Sequence, residues 1–86
     1  MERKEIGFVS NYFSRISVAA VEITDGTLSL GDTVHFLGGA TDCESTVGSM
    51  QIEHKYVTEV KKGDSVGIRV FEKVRQGDKV YKITAN

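Results

Sequence analysis

The sequence predicts an all-β antiparallel fold of six or seven short strands, a barrel or a sandwich, spanning residues 1–86 as one domain. Three observations predict it. Short apolar runs recur along the whole length, punctuated by glycine and aspartate. The pattern Gly-Asp-x-Val occurs three times, at Gly31-Asp32-Thr33-Val34, Gly63-Asp64-Ser65-Val66 and Gly77-Asp78-Lys79-Val80. Only one segment, residues 53–62, competes for helix. The repeated pattern reads as a turn that launches a strand: glycine takes a positive φ, aspartate caps backbone N–H groups ahead of it, and valine points inward. It is not a phosphate cradle, which needs G-x-x-x-x-G-K-[ST].

The elements follow in order. Ile6 to Val9 is the first run. Ile16 to Ile23 is the second and longest, and its alternation slips: Ile16 and Val18 share one face, Val21 and Ile23 the other. Ala19-Ala20 at the slip predicts a β-bulge, which inserts a residue and re-aims a strand. Asp25-Gly26 signals a two-residue hairpin, whose central positions need positive φ. Thr27 to Leu30 returns with Leu28 and Leu30 inward, and Val34 and Phe36 set a strand at Thr33 to Leu37. A further strand runs from about Thr46 to Ile52 with Met50 and Ile52 on one face. The segment Glu53 to Lys62 places Val57 and Val60 at helical spacing but lacks an N-cap, and reads as an extended connector with at most one helical turn. Val66, Ile68 and Val70 then alternate with Gly67, Arg69 and Phe71, and Val80 to Ile83 ends the pattern.

Composition bounds the function classes. At 9.4 kDa the chain buries somewhat over ~60% of its unfolded surface, enough for a modest core. It has no proline, which argues against a proline-rich linker or docking segment. No apolar stretch approaches the ~18 residues of a membrane span, and Met1-Glu2-Arg3-Lys4-Glu5 lacks the apolar run of a secretion signal. The single cysteine excludes an internal disulfide and fits a reducing compartment, so the expectation is a cytoplasmic protein. The net charge of −1 is unevenly spread: residues 1–54 hold three Lys/Arg against eight Asp/Glu, and residues 55–86 hold eight against four. Such a split marks a nucleic-acid or acidic-partner face, or averages out where the two halves interleave in space.

Taken in order, the turns carry a resemblance. They run through Ile6-Gly7-Phe8-Val9, Val18-Ala19-Ala20-Val21-Glu22-Ile23, Asp25-Gly26-Thr27-Leu28, Gly31-Asp32-Thr33-Val34 and Gly38. Val47-Gly48-Ser49-Met50, the block Val60 to Ile68 and Val74-Arg75-Gln76-Gly77-Asp78-Lys79-Val80 complete the set. From about Glu5 to Ile83 this resembles domain two of the translational GTPases, the β-barrel that follows the G domain in elongation factors Tu, 1A and G and in initiation factor 2. It is similar above all to small stand-alone translation elongation factor-like proteins. The resemblance implies a closed barrel of the translation-factor domain-two type and contact with ribosomal RNA, tRNA or a neighbouring protein. No P-loop, D-x-x-G or N-K-x-D motif is present, so GTP is not expected as a ligand. In the tRNA-carrying factors an acidic residue and an arginine form the aminoacyl pocket; Gln51 and His54 fall at those positions without the charges.

Candidate chemistry is sparse. Cys43, His35 and His54 are the only soft or imidazole ligands, and their spacings lack the paired pattern of a zinc site, so no metal or other cofactor is expected. His35 alternates against Val34 and Phe36 and reads as exposed, while Asp42 and Glu44 beside Cys43 would raise its pKa and leave it inert. The paired carboxylates have turn roles, and no catalytic residue is assigned. The loop Asn11-Tyr12-Phe13-Ser14-Arg15 places two aromatics beside an arginine, to stack bases, anchor a protein or plug the barrel end with one ring. Lys55, Lys61, Lys62, Arg69, Lys73 and Arg75 form a basic set, read as a phosphate face or as solvated edge lysines. The candidate binding residues are therefore Tyr12, Phe13, Arg15, Gln51, His54, Lys61, Lys62 and Arg69. The expected function is a non-catalytic RNA- or ribosome-associated accessory module of translation. The alternative is a protein-interaction module serving a collagenase-like peptidase, whose family carries similar barrels as tail domains.

Overall fold

The computed structural model describes residues 2–84. All regular structure in it is β: β1 (Glu2–Phe13), β2 (Val18–Ile23), β3 (Thr27–Ser29), β4 (Thr33–Leu37), β5 (Asp42–Thr46), β6 (Met50–Ile52), β7 (Lys55–Val57), β8 (Glu59–Lys61), β9 (Ser65–Arg69) and β10 (Lys79–Thr84). Every strand pair is antiparallel. An eight-stranded sheet has the order β5-β4-β10-β1-β2-β9-β6-β7, and β3 pairs with β8 in a separate ribbon. The expected closed barrel of six or seven strands is thus corrected. Among the described residues there are ten strands, and the sheet ends at β5 and β7 without their pairing.

The strand count rises because two expected segments divide. The run over 46–52 breaks at Val47, whose N–H donates to the Asp32 carbonyl, so β5 and β6 lie at distant positions in the sheet. The connector over 53–62 is not helical: Glu53 (φ 50°) and His54 (φ 66°) form a two-residue turn between β6 and β7, and β8 follows. Both central residues take positive φ, as a type I′ turn demands. Asp25-Gly26 does not close a hairpin, because β2 pairs with β1 and β9 whereas β3 pairs with β8.

The expected bulge lies across the strand gap. In β2, Ala19, Val21 and Ile23 are buried in unbroken alternation, so there is no slip. The extra residue is Ser10 on β1, since Val9 pairs with Val21 and Asn11 with Ala20, and the Ser10 hydroxyl donates to the Ala20 carbonyl at 3.2 Å. A second bulge on β1 falls at Ile6, whose side chain is buried. Next to it, a Cβ on Gly7 would collide with the Glu22 carbonyl; this close approach excludes any larger residue.

The three Gly-Asp turns repeat one geometry. Gly31, Gly63 and Gly77 have φ of 91°, 97° and 93°. Asp32, Asp64 and Asp78 accept from the backbone N–H three residues earlier, on Ser29 (2.8 Å), Lys61 (2.9 Å) and Arg75 (2.7 Å). The aspartates cap backward rather than ahead. Val34, Val66 and Val80 are buried as expected. They join Phe36, Leu28, Met50, Ile68 and nine other apolar residues in one core beneath the sheet and the ribbon. Leu30 is 42% exposed, against expectation, because β3 stops at Ser29.

Candidate functional site

The outer face of the sheet carries the site. Five neighbouring strands, β1-β2-β9-β6-β7, stack their outward residues in cross-strand rows. One row runs Phe13, Val18, Arg69; the next runs Ala20, Gly67, Gln51, Tyr56. Alternation dictates this, since Ala19, Val21, Val66, Ile68 and Met50 point into the core between them. Gly67 contributes no side chain to its row, and a Cβ there would lie 3.2 Å from Val18 Cγ1. The floor therefore dips at Gly67, leaving a groove of about 420 Å³ lined by Phe13, Ile16, Val18, Ser49, Gln51, Glu53, His54, Tyr56, Gly67 and Arg69. A second hollow of about 300 Å³, formed by Gly48, Ser49, Arg69 and Phe71, shares Ser49 and Arg69 with the first.

Four of the six large hydrophobic side chains exposed among the described residues line the combined surface. Phe13 is 46% exposed, Ile16 63%, Tyr56 77% and Phe71 79%. Each leaves ring or alkyl area in water that a partner would cover. Arg69 sits between the two hollows, and among the described residues it makes no ion pair.

Four of the eight candidate residues come together here: Phe13, Gln51, His54 and Arg69. Tyr12 turns the other way and packs against the core, as one ring of an adjacent pair in a strand must. Both lie on β1, not in a loop, and Arg15 is exposed in the following turn. Lys61 and Lys62 are exposed where β8 leads into the Gly63-Asp64 turn and line neither hollow. Ile16, Tyr56 and Phe71 were not singled out. The signal for Phe71 was its place in the outward set of Gly67 and Arg69, whereas Tyr56 was hidden by reading 53–62 as a connector.

The basic half does not form one free face. β10 lies between β1 and β4, so Lys79 meets Glu5 (3.8 Å) and Lys82 meets Asp32 (3.4 Å), pairing the basic second half with the acidic first.

His35 is buried, which corrects its expected exposure. Tyr81 pairs directly opposite it, Arg3 lies 5.1 Å above the Tyr81 ring, and the Arg3 guanidinium donates to His35 Nδ1 at 2.8 Å. Arginine only donates, so Nδ1 accepts and Nε2 carries the proton toward Asp42 Oδ1 at 2.5 Å. Both ring nitrogens are engaged within the protein. Burial pushes the Cys43 thiol above its ordinary value, helped by the carboxylates of Glu72, Asp78 and Asp42. The direction agrees with the sequence reading, but burial leads and Glu44 plays no part.

No protein-family model matches the chain. An uncharacterised protease from Methanocaldococcus jannaschii is 46% identical over 78 residues, covering 90% of this chain and 19% of the protease. A collagenase from Porphyromonas gingivalis is 35% identical over 82 residues, covering 94% of this chain and 23% of the collagenase. The chain thus spans about a fifth of the length of the curated relatives it matches. Among solved structures, the C-terminal domain of a Geobacillus thermoleovorans protein described as a U32 peptidase superposes with a TM-score of 0.86 at 17% identity, covering 94% of this chain and 93% of that one. The GDP-bound initiation factor aIF5B of Aeropyrum pernix superposes at 0.62 with 16% identity, and the match covers 14% of that chain.

These findings overturn the identification as a translation elongation factor-like protein and with it the expected role in translation, ribosome association and RNA binding. The physical reason lies in the motifs that carried it. Gly-Asp-x-Val describes a positive-φ glycine and a back-bonding aspartate, a turn geometry that the fold requires whatever the protein binds. In sequence the chain is similar to a protease and a collagenase over a fifth of their length, and its fold is that of a U32 peptidase C-terminal domain.

Proposed function

We propose that the chain, taken as one module over residues 1–86, is a non-catalytic protein-binding domain that works with a collagenase-like peptidase. The observation that carries this reading is the 46% identity to a segment of a protease, extending over 90% of the chain. Among the described residues His35 is bonded to Arg3 and Asp42, so no hydrogen-bonded Ser-His or Cys-His pair that would activate a nucleophile is formed there. Its exposed aromatic face, in contrast, suits recognition of another protein surface. The test mixes the chain with the M. jannaschii protease from which the matching fifth has been removed. The expected outcome is a one-to-one complex by analytical ultracentrifugation. Failure to associate would overturn the partnership.

A further inference from the structure

We infer that the double hollow on the outer sheet face is the docking site, and that its occupant is a protein segment pairing an acidic side chain with a flanking apolar one. The inference rests on the protein-binding reading above and adds which surface is used and what chemistry it takes. Arg69 is the central residue. It stands opposite Val18 in the cross-strand row, belongs to both hollows, and makes no ion pair among the described residues. Beside Ser49, the large apolar side chains near it are Phe13, Ile16 and Tyr56 in one hollow and Phe71 in the other. Once a partner covers these side chains, the guanidinium is withdrawn from water, and a carboxylate is the group that best offsets that loss through paired, charge-assisted hydrogen bonds.

The dip at Gly67 receives the apolar neighbour of that carboxylate. Gly67 lies two residues from Arg69 on β9, so both face the same side of the sheet at strand spacing. An extended segment carrying its acidic and apolar side chains at the matching spacing meets both at once. Glu53, at the far rim of the groove, repels a second acid there and limits the preference to the Arg69 end. A second copy of this chain is a poor occupant. Two such faces related by a two-fold axis at Arg69 would set the same cationic centre against itself. An axis further along the groove would bring the exposed Phe13 and Tyr56 rings onto a copy that offers no acid flanked by an apolar side chain at strand spacing.

The test uses the full chain, ¹⁵N-labelled and titrated with three peptides: acetyl-Phe-Glu-Leu-Phe-amide and its glutamine and lysine counterparts. The expected result is shift changes at Gly67, Arg69, Gln51 and Tyr56, with the glutamate peptide bound at least about tenfold tighter than the glutamine one. Arg69→Glu should reverse the order in favour of the lysine peptide, a rescue that general damage cannot produce. Equal binding of all three peptides, shift changes elsewhere on the sheet, no binding at all, or concentration-dependent dimer formation through this face would each overturn the inference. The truncated protease separates the two readings. If it binds wild type and Arg69→Glu alike, the docking site is wrong and the peptidase partnership stands. If the peptides show the charge reversal but the protease does not associate, the site stands and the partnership fails.

Discussion

Asp32, Asp64 and Asp78 make the same bond in different surroundings, and the difference sets what each contributes. Asp64 is half-exposed and Asp78 is buried, so removing the carboxylate strands the Arg75 N–H in drier protein than the Lys61 N–H. Asp64→Ala should cost about 0.5–1 kcal/mol and Asp78→Ala about 1–3 kcal/mol, read from urea midpoints. Equal losses would mean that burial does not weight these turns. At Cys43 the folded thiol holds its proton to higher pH than the ordinary value of 9.0, so its contribution to stability is complete below that pH and falls as pH rises beyond it. Iodoacetamide at pH 8 should accordingly modify Cys43 more slowly in the folded chain than in urea, and an equal rate would contradict the assigned burial. The Gly-Asp turns were readable because their cause is local, although the direction of the cap was not. For Cys43 only the direction was readable, since burial, Glu72 and Asp78 come from distant parts of the chain. The burial of His35 was not readable. Alternation with Val34 and Phe36 correctly turned it away from the core, but Arg3 and Tyr81 arrive from β1 and β10 to cover it, and neither is near it in sequence.

The strand elements show the same boundary between local and distant causes. Thr33–Leu37 and the alternation of Val66, Ile68 and Val70 were legible because a period of two needs only the strand itself. The bulge was legible as an event and misplaced by one strand, since small residues at Ala19-Ala20 only signal that two backbones fall out of step. The hairpin at Glu53-His54 was missed because neither residue advertises positive φ. Holding two ordinary residues there costs about 1 kcal/mol or more in total, so replacing the pair by Asn-Gly should raise stability by about 0.5–1 kcal/mol in thermal melts. A lower melting temperature would argue against the turn. At Gly7 the direction reverses. Gly7→Ala drives a methyl into the Glu22 carbonyl and should cost about 2 kcal/mol or more by parting β1 from β2.

For the molecule as a whole, the sheet order turns a sequence with an acidic first half and a basic second half into a surface where Lys79 and Lys82 are matched by Glu5 and Asp32. The candidate site is a product of the same interleaving. Phe13, Gln51, Arg69 and Tyr56 become neighbours only because β2 and β9 lie between β1 and β6, an order that no linear motif encodes. Sequence reasoning could therefore name Phe13, Gln51, His54 and Arg69 individually, yet it had no means to separate them from Lys61 and Lys62. Whether this face meets a peptidase is decided by amide hydrogen exchange on the chain mixed with the truncated M. jannaschii protease. Exchange should slow at Gln51, Tyr56, Gly67 and Arg69, with β4 and β5 unchanged. Protection confined to β4 and β5, or exchange identical with and without the protease, would contradict this contact.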